Sequence, residues 1–150
     1  MIEYKVLAGR GTYLSDTVNP LAEQGYRILN VGSYNNDKMI VSLVKDDYSR
    51  PTKDYKFQVE SNLTRLNTYV NEMLAQGYKL DGVSFGGSYY TGVAMHKEYD
   101  PVVEYVILDN PNGEPIEEHI KEKAEQGFIL DEIVSAGNYT FAVAVMKRLK

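Results

Sequence analysis

Apolar and polar residues alternate along this chain with two different periods. In the segment 55–60 every second residue is apolar, which predicts a half-buried strand. Between residues 64 and 76 the apolar residues recur every three or four positions, which predicts an amphipathic helix. Two further apolar runs flank a turn at Gly86–Tyr89 and predict a hairpin. The pattern of this stretch is therefore strand, helix, strand, strand.

The same pattern occurs three times. Each predicted helix ends at a Gln-Gly-aromatic sequence, in which Gly25, Gly77 and Gly127 take the position just past the helix. Glycine reaches the left-handed conformation there without a Cβ penalty, so it predicts a helix stop. When the three glycines are superposed, a gapless register places a lysine twenty residues after each of them: Lys45, Lys97 and Lys147. Such self-similarity indicates a repeated supersecondary unit.

The sequence therefore predicts an α+β fold of three tandem βαββ repeats. The repeats span about 1–47, 54–98 and 103–148 within a single compact domain of residues 1–150. Within each repeat we expect strand order 1-3-2, although the first strand of a repeat could instead pair with a neighbouring repeat. Pro20 is tolerated in the first turn of a helix, so we expect the first helix to be the shortest.

The last strand of each repeat is apolar on both faces, which indicates that both are buried. We expect one face to lie under the helix: Met39, Val41 and Leu43, then Thr91, Val93 and Met95, then Phe141, Val143 and Val145. The other carries small or uncharged residues: Ile40, Ser42 and Val44, then Gly92, Ala94 and His96, then Ala142, Ala144 and Met146. We expect antiparallel sheets packed around a pseudo-threefold axis with the helices outside.

The repeat resembles a small bacterial and phage domain of unknown function that normally occurs once per chain. The similarity rests on Glu-Tyr-Lys-Val at 3–6, on Leu-Ala-Glu-Gln-Gly-Tyr at 21–26, and on a closing apolar strand that ends in lysine. The family commonly has Trp after the glycine, where this chain has Tyr26, Tyr78 and Phe128. Because no activity is established for the family, the resemblance implies a fold and no function.

Composition excludes several function classes. The net charge of −5 argues against a nucleic-acid polymer as partner, and no apolar run is long enough for a membrane span. With zero cysteines and no signal-peptide pattern, we expect a cytoplasmic protein. His96 and His119 stand in no metal-ligand or catalytic spacing, and we interpret them as structural. We therefore expect no cofactor, no metal and no catalysis.

Thirteen tyrosines are the unusual feature of the composition. Several lie in the predicted hairpin turns beside glycine and small polar residues, a combination typical of recognition surfaces, although turn tyrosines can also lie on their own sheet. The predicted ligand-binding residues are Tyr34, Gly86, Gly87, Ser88, Tyr89, Tyr90, Asn138 and Tyr139, with Lys45, Lys97 and Lys147 for phosphate.

Two functions fit these residues. The first is a non-enzymatic binder of a small anionic ligand such as a nucleotide, for example a phage-type protein that sequesters a nucleotide immune signal. The second is a protein-interaction module, such as an inhibitor of a host protein, that uses the same turns or the acidic third helix. Because one repeat of about 50 residues is too small to be stable alone, a homo-oligomer is also compatible with the sequence.

Overall fold

The computed structural model describes residues 1–35, 37–47, 54–86, 90–97, 102–110, 115–135 and 142–150. Over these residues the chain is α+β, with three three-stranded antiparallel sheets and three helices. In chain order the elements are β1 Glu3–Arg10, α1 Gly11–Glu23, β2 Arg27–Asn35, β3 Lys38–Lys45, β4 Lys56–Glu60, α2 Leu63–Ala75, β5 Tyr78–Gly86, β6 Tyr90–Lys97, β7 Val102–Asp109, α3 Ile116–Glu125, β8 Ile129–Ser135 and β9 Ala142–Leu149.

Each sheet is built from consecutive strands, and the last of the three lies in the middle. The orders are β1-β3-β2, β4-β6-β5 and β7-β9-β8. The predicted order 1-3-2 is thereby confirmed, and each first strand pairs within its own unit. We use unit 1, unit 2 and unit 3 for the strands of these sheets with α1, α2 and α3 respectively. The strands β1, β4 and β7 are edge strands.

The three helix stops have the predicted geometry. Gly25, Gly77 and Gly127 have φ angles of +100°, +91° and +92°. The amide of the residue after the glycine turns back to the helix: Tyr26 N donates to Leu21 O at 3.1 Å. This reversed bond satisfies a carbonyl that has no partner in the helix and directs the chain into the next strand.

The prediction that the first helix is the shortest is wrong. α1 has 13 residues and α3 has ten, and Pro20 lies inside α1. Proline removes one helical hydrogen bond, but Leu14, Val18 and Ala22 of α1 are buried against the sheet. Burial of this apolar stripe outweighs the lost bond, because tertiary packing supplies most of the stability of a helix in a folded protein.

The gapless register of the three repeats is wrong in the last strand. Leu80 of β5 pairs with Met95, whereas its counterpart Leu130 of β8 pairs with Met146, one residue later than the gapless register gives. The chain from Leu130 to its partner Met146 is thus one residue longer than the chain from Leu80 to its partner Met95. A shift of one residue reverses every side chain of a strand.

This shift changes which face of β9 lies under the helix. Val143 and Val145, predicted to lie under α3, instead join the apolar cluster that surrounds Leu66 and Val70 of α2. Both faces of β9 are nevertheless buried, as predicted, because Ala144 on the other face is also inaccessible. Phe141 lies outside the described residues.

The units pack front to back. We define the front face of a sheet as the one that carries the helix of its own unit, and the back face as the opposite one. One core cluster joins Leu14 and Val18 of α1 to Tyr55 and Phe57 on the back face of unit 2. The other joins α2 to Tyr105 and Ile107 of β7. The helices α1 and α2 therefore each pack against two successive units.

Candidate functional site

Most of the predicted turn site lies outside the described residues. This holds for Gly87, Ser88, Tyr89, Asn138 and Tyr139. The other three turn positions lie in strands next to the turns: Tyr34 in β2, Gly86 at the end of β5 and Tyr90 at the start of β6. The turn site stays a prediction.

The hairpin ends of units 1 and 2 lie side by side. Ser33 Oγ of β2 donates to Ser84 Oγ of β5 at 2.7 Å. Ser33 precedes Tyr34, and Ser84 lies two residues before Gly86. The ends of β2 and β5 that lead into the turns therefore lie next to each other.

The lysines Lys45 and Lys97 lie at the opposite end of their hairpins. Lys97 pairs with Tyr78, at the end of β5 and β6 farthest from the turn. Its Nζ lies 5.9 Å from the centre of the Tyr78 ring, and Lys45 Nζ lies 5.7 Å from the Tyr26 ring. Within a unit, the structure does not bring these cations and the turn together. Their contacts with the rings stabilise the helix stops.

The third cation at this position is Arg148, because of the register shift. Its guanidinium carbon lies 5.7 Å from the Phe128 ring, and its Nη2 donates to Glu104 at 2.6 Å. Lys147, which the gapless register placed here, forms an ion pair with Asp131 at 3.0 Å. Lys147 therefore takes part in a contact within its own sheet.

At two of the three helix stops, the tyrosine that follows the glycine donates a hydrogen bond to a carboxylate. Tyr26 Oη donates to Glu3 at 2.6 Å, and Tyr78 Oη donates to Asp54. The phenol of Tyr78 lowers the pKa of Asp54, while burial and this hydrogen bond raise the pKa of Tyr78 to about 12. Tyr78 thus keeps its proton as the donor and Asp54 stays ionised as the acceptor, which is a structural arrangement.

No group of three or more His, Cys, Asp or Glu side chains in the described part of the chain has the geometry to hold a metal ion. His96 Nδ1 lies 2.6 Å from Asp81, and its ring packs against Tyr55.

Among the described helices, none combines the length and the apolar character needed to cross a bilayer.

The two junctions between units share a hydrogen-bond pattern that the sequence analysis missed. The amide of Asn19 on α1 bonds to both backbone groups of Tyr55, accepting from N at 2.6 Å and donating to O at 3.2 Å. On α2, Asn71 bonds in the same way to Tyr105, and Asn67 to Ile107. These bonds satisfy the free edges of β4 and β7. Asparagines four residues apart on one helix face were the available signal.

A tyrosine hydroxyl completes each junction from the other side. The amide of Ile28 donates to Tyr55 Oη at 3.1 Å, and the amide of Leu80 donates to Tyr105 Oη at 3.3 Å. Each junction thus joins a strand tyrosine to the helix and to the second strand of the preceding unit.

A groove of about 700 Å³ lies outside the second junction, between α2 and β7. Asn67 and Asn71 line it, and their side-chain amides bond to the β7 backbone. Ligand binding there would have to compete with the bonds that join units 2 and 3.

In unit 1 much of the corresponding back face is exposed, although Val44 on this face is buried. The strand registers place Tyr4 and Val6 of β1 at the positions of Tyr55 and Phe57. Tyr4 is 64% exposed and Val6 63%, whereas Tyr55 and Phe57 are 2% and 6% exposed. We define the first-unit patch as the exposed apolar side chains of this face: Tyr4, Val6, Leu29 and Ile40.

One pair of positions at the edge of the back face is apolar in unit 1 and charged in the other units. In unit 2 the pair is Asp81 with His96, and in unit 3 it is Asp131 with Lys147. The corresponding residues of unit 1 are Leu29, which is 55% exposed, and Val44, which is buried. At this pair the exposed unit carries no charge and the packed units do, which is the reverse of the usual distribution.

The front face of unit 3 is exposed at β8, although Ala144 and Met146 of β9 on the same face are buried. Leu130 is 46% exposed and Ile133 is 53% exposed, whereas their counterparts in unit 2, Leu80 and Val83, are buried. None of the ten residues of α3 is fully buried. We define the third-unit patch as Leu130 and Ile133 together with α3.

Unit 1 thus carries one half of a junction and unit 3 carries the other half. Neither half has its counterpart among the described residues. This pair of surfaces is the candidate functional site. Comparison of the chain with protein-family models, with curated protein sequences and with solved structures finds no match.

Proposed function

We propose that this protein is a non-catalytic interaction module that binds a protein partner through the first-unit patch. The exposure of Tyr4 and Val6 carries this proposal, because the same positions are buried in the other two units. Contiguous exposed apolar side chains on one sheet face are typical of an interaction surface, whereas single ones are not. Tyrosine is enriched at such surfaces, since it combines a large apolar ring with a polar tip.

The arrangement of the repeats is part of the proposal. We propose that one rotation relates each unit to the next, with the helices on the outside. The pseudo-threefold arrangement expected from the sequence needs a third junction, between unit 3 and unit 1. The exposure of Tyr4 argues against that junction within a single chain.

Affinity capture with a matched pair of variants tests the proposal. The double variant Tyr4→Ser with Ile40→Ser removes the patch, and Tyr13→Ser removes an equally exposed tyrosine of α1. A partner protein captured by the wild type and by Tyr13→Ser should be lost with the patch variant. The same proteins captured in the same amounts by all three would show that the patch binds nothing.

A second candidate function is the binding of a small anionic ligand at the turns, which includes sequestration of a nucleotide signal. The contact of Ser33 with Ser84 favours it, because it sets the strand ends that lead into the turns of units 1 and 2 side by side. Tyr89→Ala and Tyr139→Ala should then each weaken binding by about 1–3 kcal/mol, the range for a lost base-aromatic stack. Calorimetry with cyclic dinucleotides, cyclic ADP-ribose isomers and mononucleotides tests this, and no heat with any of them would contradict it. Neither candidate function involves a cofactor.

A further inference from the structure

We infer that the partner of the first-unit patch is a second copy of this chain, whose third-unit patch receives it head to tail. The inference rests on the proposed interaction function and names its partner. The chain already contains this type of contact twice, at the junctions of α1 with β4 and of α2 with β7. Unit 1 has the exposed first strand that such a junction needs, and unit 3 has the exposed helix. Two copies of the chain can therefore form the same type of junction between them.

The apolar groups match those of the internal junctions. Tyr105 packs in one cluster with Leu80 and Val83 of the preceding unit. In a head-to-tail contact Tyr4 would meet Leu130 and Ile133, the counterparts of those two residues. All three are at least 46% exposed in the single chain. The contact therefore buries apolar surface on both partners.

The hydrogen-bond groups match as well. In both internal junctions the amide at one position of the second strand, Ile28 or Leu80, donates to the tyrosine hydroxyl of the following unit. Leu130 occupies this position in unit 3, and Tyr4 carries the corresponding hydroxyl. A second copy thus provides the acceptor for a bond whose geometry the fold already uses twice.

In a head-to-tail contact the edge of β1 would meet α3. The side chains of α3 differ from those of α2, but they also supply a hydrogen-bond donor and an acceptor. Lys121 and Glu117 of α3 occupy the positions of Asn71 and Asn67, and they form an ion pair at 3.2 Å. An ammonium can donate to a backbone carbonyl, and a carboxylate can accept from a backbone amide. The pair therefore offers the edge of β1 one donor and one acceptor.

The helix α3 and the strand β1 also carry opposite charges. On α3 these include Glu118 and Glu125, and β1 carries Lys5 next to Tyr4 of the first-unit patch. At the first junction the corresponding lysine, Lys56, pairs with Asp54 of its own unit at 3.3 Å. Lys5 and the acidic helix would come together in a head-to-tail contact, which favours attraction between two copies.

A head-to-tail contact is heterologous, because the two surfaces differ. Such contacts form a closed ring when the rotation closes and an open filament when it does not. The smallest closed assembly is a pair of chains with six units and two identical junctions, in which no patch remains exposed. We therefore expect two chains per particle.

Sedimentation of the full chain over a range of concentrations tests the inference. The wild type should form a particle of two chains, and Tyr4→Asp or Ile133→Asp should each weaken association roughly tenfold or more, since a buried unpaired charge is costly. Tyr13→Asp is the matched control and should associate like the wild type. Because all three side chains are exposed in the single chain, each variant should keep its thermal midpoint at low concentration.

Mixing the two variants decides between a contact of the first-unit patch with the third-unit patch and a contact of either patch with its own copy. Tyr4→Asp retains the third-unit patch, and Ile133→Asp retains the first-unit patch, so the mixture can form one intact junction. Native mass spectrometry should show a mixed pair of chains that neither variant forms alone. A wild-type pair whose association survives Ile133→Asp, or a mixture that yields no mixed pair, would overturn the inference.

Charge reversal gives an independent readout. Lys5→Glu should weaken the pair of chains, and combining it with Glu118→Lys should restore association in part. A wild type that remains a monomer at every concentration would refute the second copy as the partner. The proposed interaction function would then still be supported if affinity capture retains a different protein through Tyr4 and Ile40. If capture finds none, both proposals fail.

Discussion

Asn71 on α2 bonds to both backbone groups of Tyr105 on β7. Its amide oxygen accepts from Tyr105 N at 2.9 Å, and its amide nitrogen donates to Tyr105 O at 2.8 Å. The side chain thus satisfies the strand edge as a neighbouring strand would. An exposed edge can recruit another strand and cause aggregation, and this contact occupies the edge of β7 with a helix instead.

Removal of this amide should destabilise the protein. Asn71→Ala leaves the N–H and C=O groups of Tyr105 without these bonds at a partly buried junction, and we expect a loss of about 2–3 kcal/mol in the free energy of unfolding. Thr68→Ala is the matched control, because Thr68 is exposed and its hydroxyl bonds back to Thr64 O of the same helix. Urea unfolding measures both, and equal midpoints for the two variants would contradict the role of Asn71.

Close packing at the first junction should make Gly82 sensitive to substitution. An added Cβ at Gly82 would lie 2.5 Å from Cγ2 of Val31, and valine cannot turn aside easily because it is branched at Cβ. Gly82→Ala should therefore cost about 1–3 kcal/mol, the usual range for overpacking.

The control for Gly82 is Gly9→Ala, where the added carbon would lie at an ordinary 3.8 Å from Leu14. Combining Gly82→Ala with Val31→Ala should destabilise less than the sum of the single changes, because the contact is relieved. Thermal unfolding of the four variants measures this coupling. Strict additivity would show that the two residues do not meet.

The phenol of Tyr78 should make stability depend on pH in the alkaline range. Its pKa in the folded chain is raised from 10 to about 12, so the protonated form is favoured by folding. The resulting contribution is complete below pH 10 and is lost as the pH rises through 12, an effect of roughly 1–2 kcal/mol after allowance for solvent screening. Urea unfolding between pH 9 and 12 should show this loss in the wild type.

Tyr78→Phe should lack that part of the pH dependence. Unit 3 carries Phe128 at the same position, so the fold accepts the ring without a hydroxyl. If the stability of Tyr78→Phe falls with pH as steeply as that of the wild type, the buried phenol of Tyr78 is not the cause.

The left-handed glycine of the second helix stop should resist substitution. Gly77 has φ +91°, and Gly77→Ala should cost about 1 kcal/mol, the penalty of a Cβ in this conformation. Gly77→Asn should cost less, because asparagine tolerates the left-handed region better. Hydrogen exchange of the last turn of α2 should report the same order as the urea midpoints. An alanine variant as stable as the wild type would rule out the strain.

The sequence was informative where local chemistry decides the structure. Gly25, Gly77 and Gly127 end their helices as predicted, because the left-handed conformation depends on one residue. Strand order 1-3-2 followed from the short hairpin and the handedness of the crossover.

The sequence was not informative where two registers bury equally apolar residues. Val143 and Ala144 alternate along β9, so either face suits a core, and the pattern could not place Arg148 rather than Lys147 at the third cation position. The exposure of the back face of unit 1 could not be predicted from the sequence for a related reason. Tyr4 and Tyr55 have similar sequence contexts, and they differ in that Tyr55 packs against unit 1 while Tyr4 packs against no other unit among the described residues.

The strand β9 also bears on how such a chain changes during evolution. Its faces carry Val143 and Val145 on one side and Ala144 and Met146 on the other, and all four are inaccessible to solvent. An insertion of one residue before such a strand exchanges its faces without moving a charge into the interior. Duplicated genes accumulate insertions and deletions in their connecting loops. Because the last strand is apolar on both faces, either face can pack in the core. The repeats can therefore differ in loop length while the protein continues to fold.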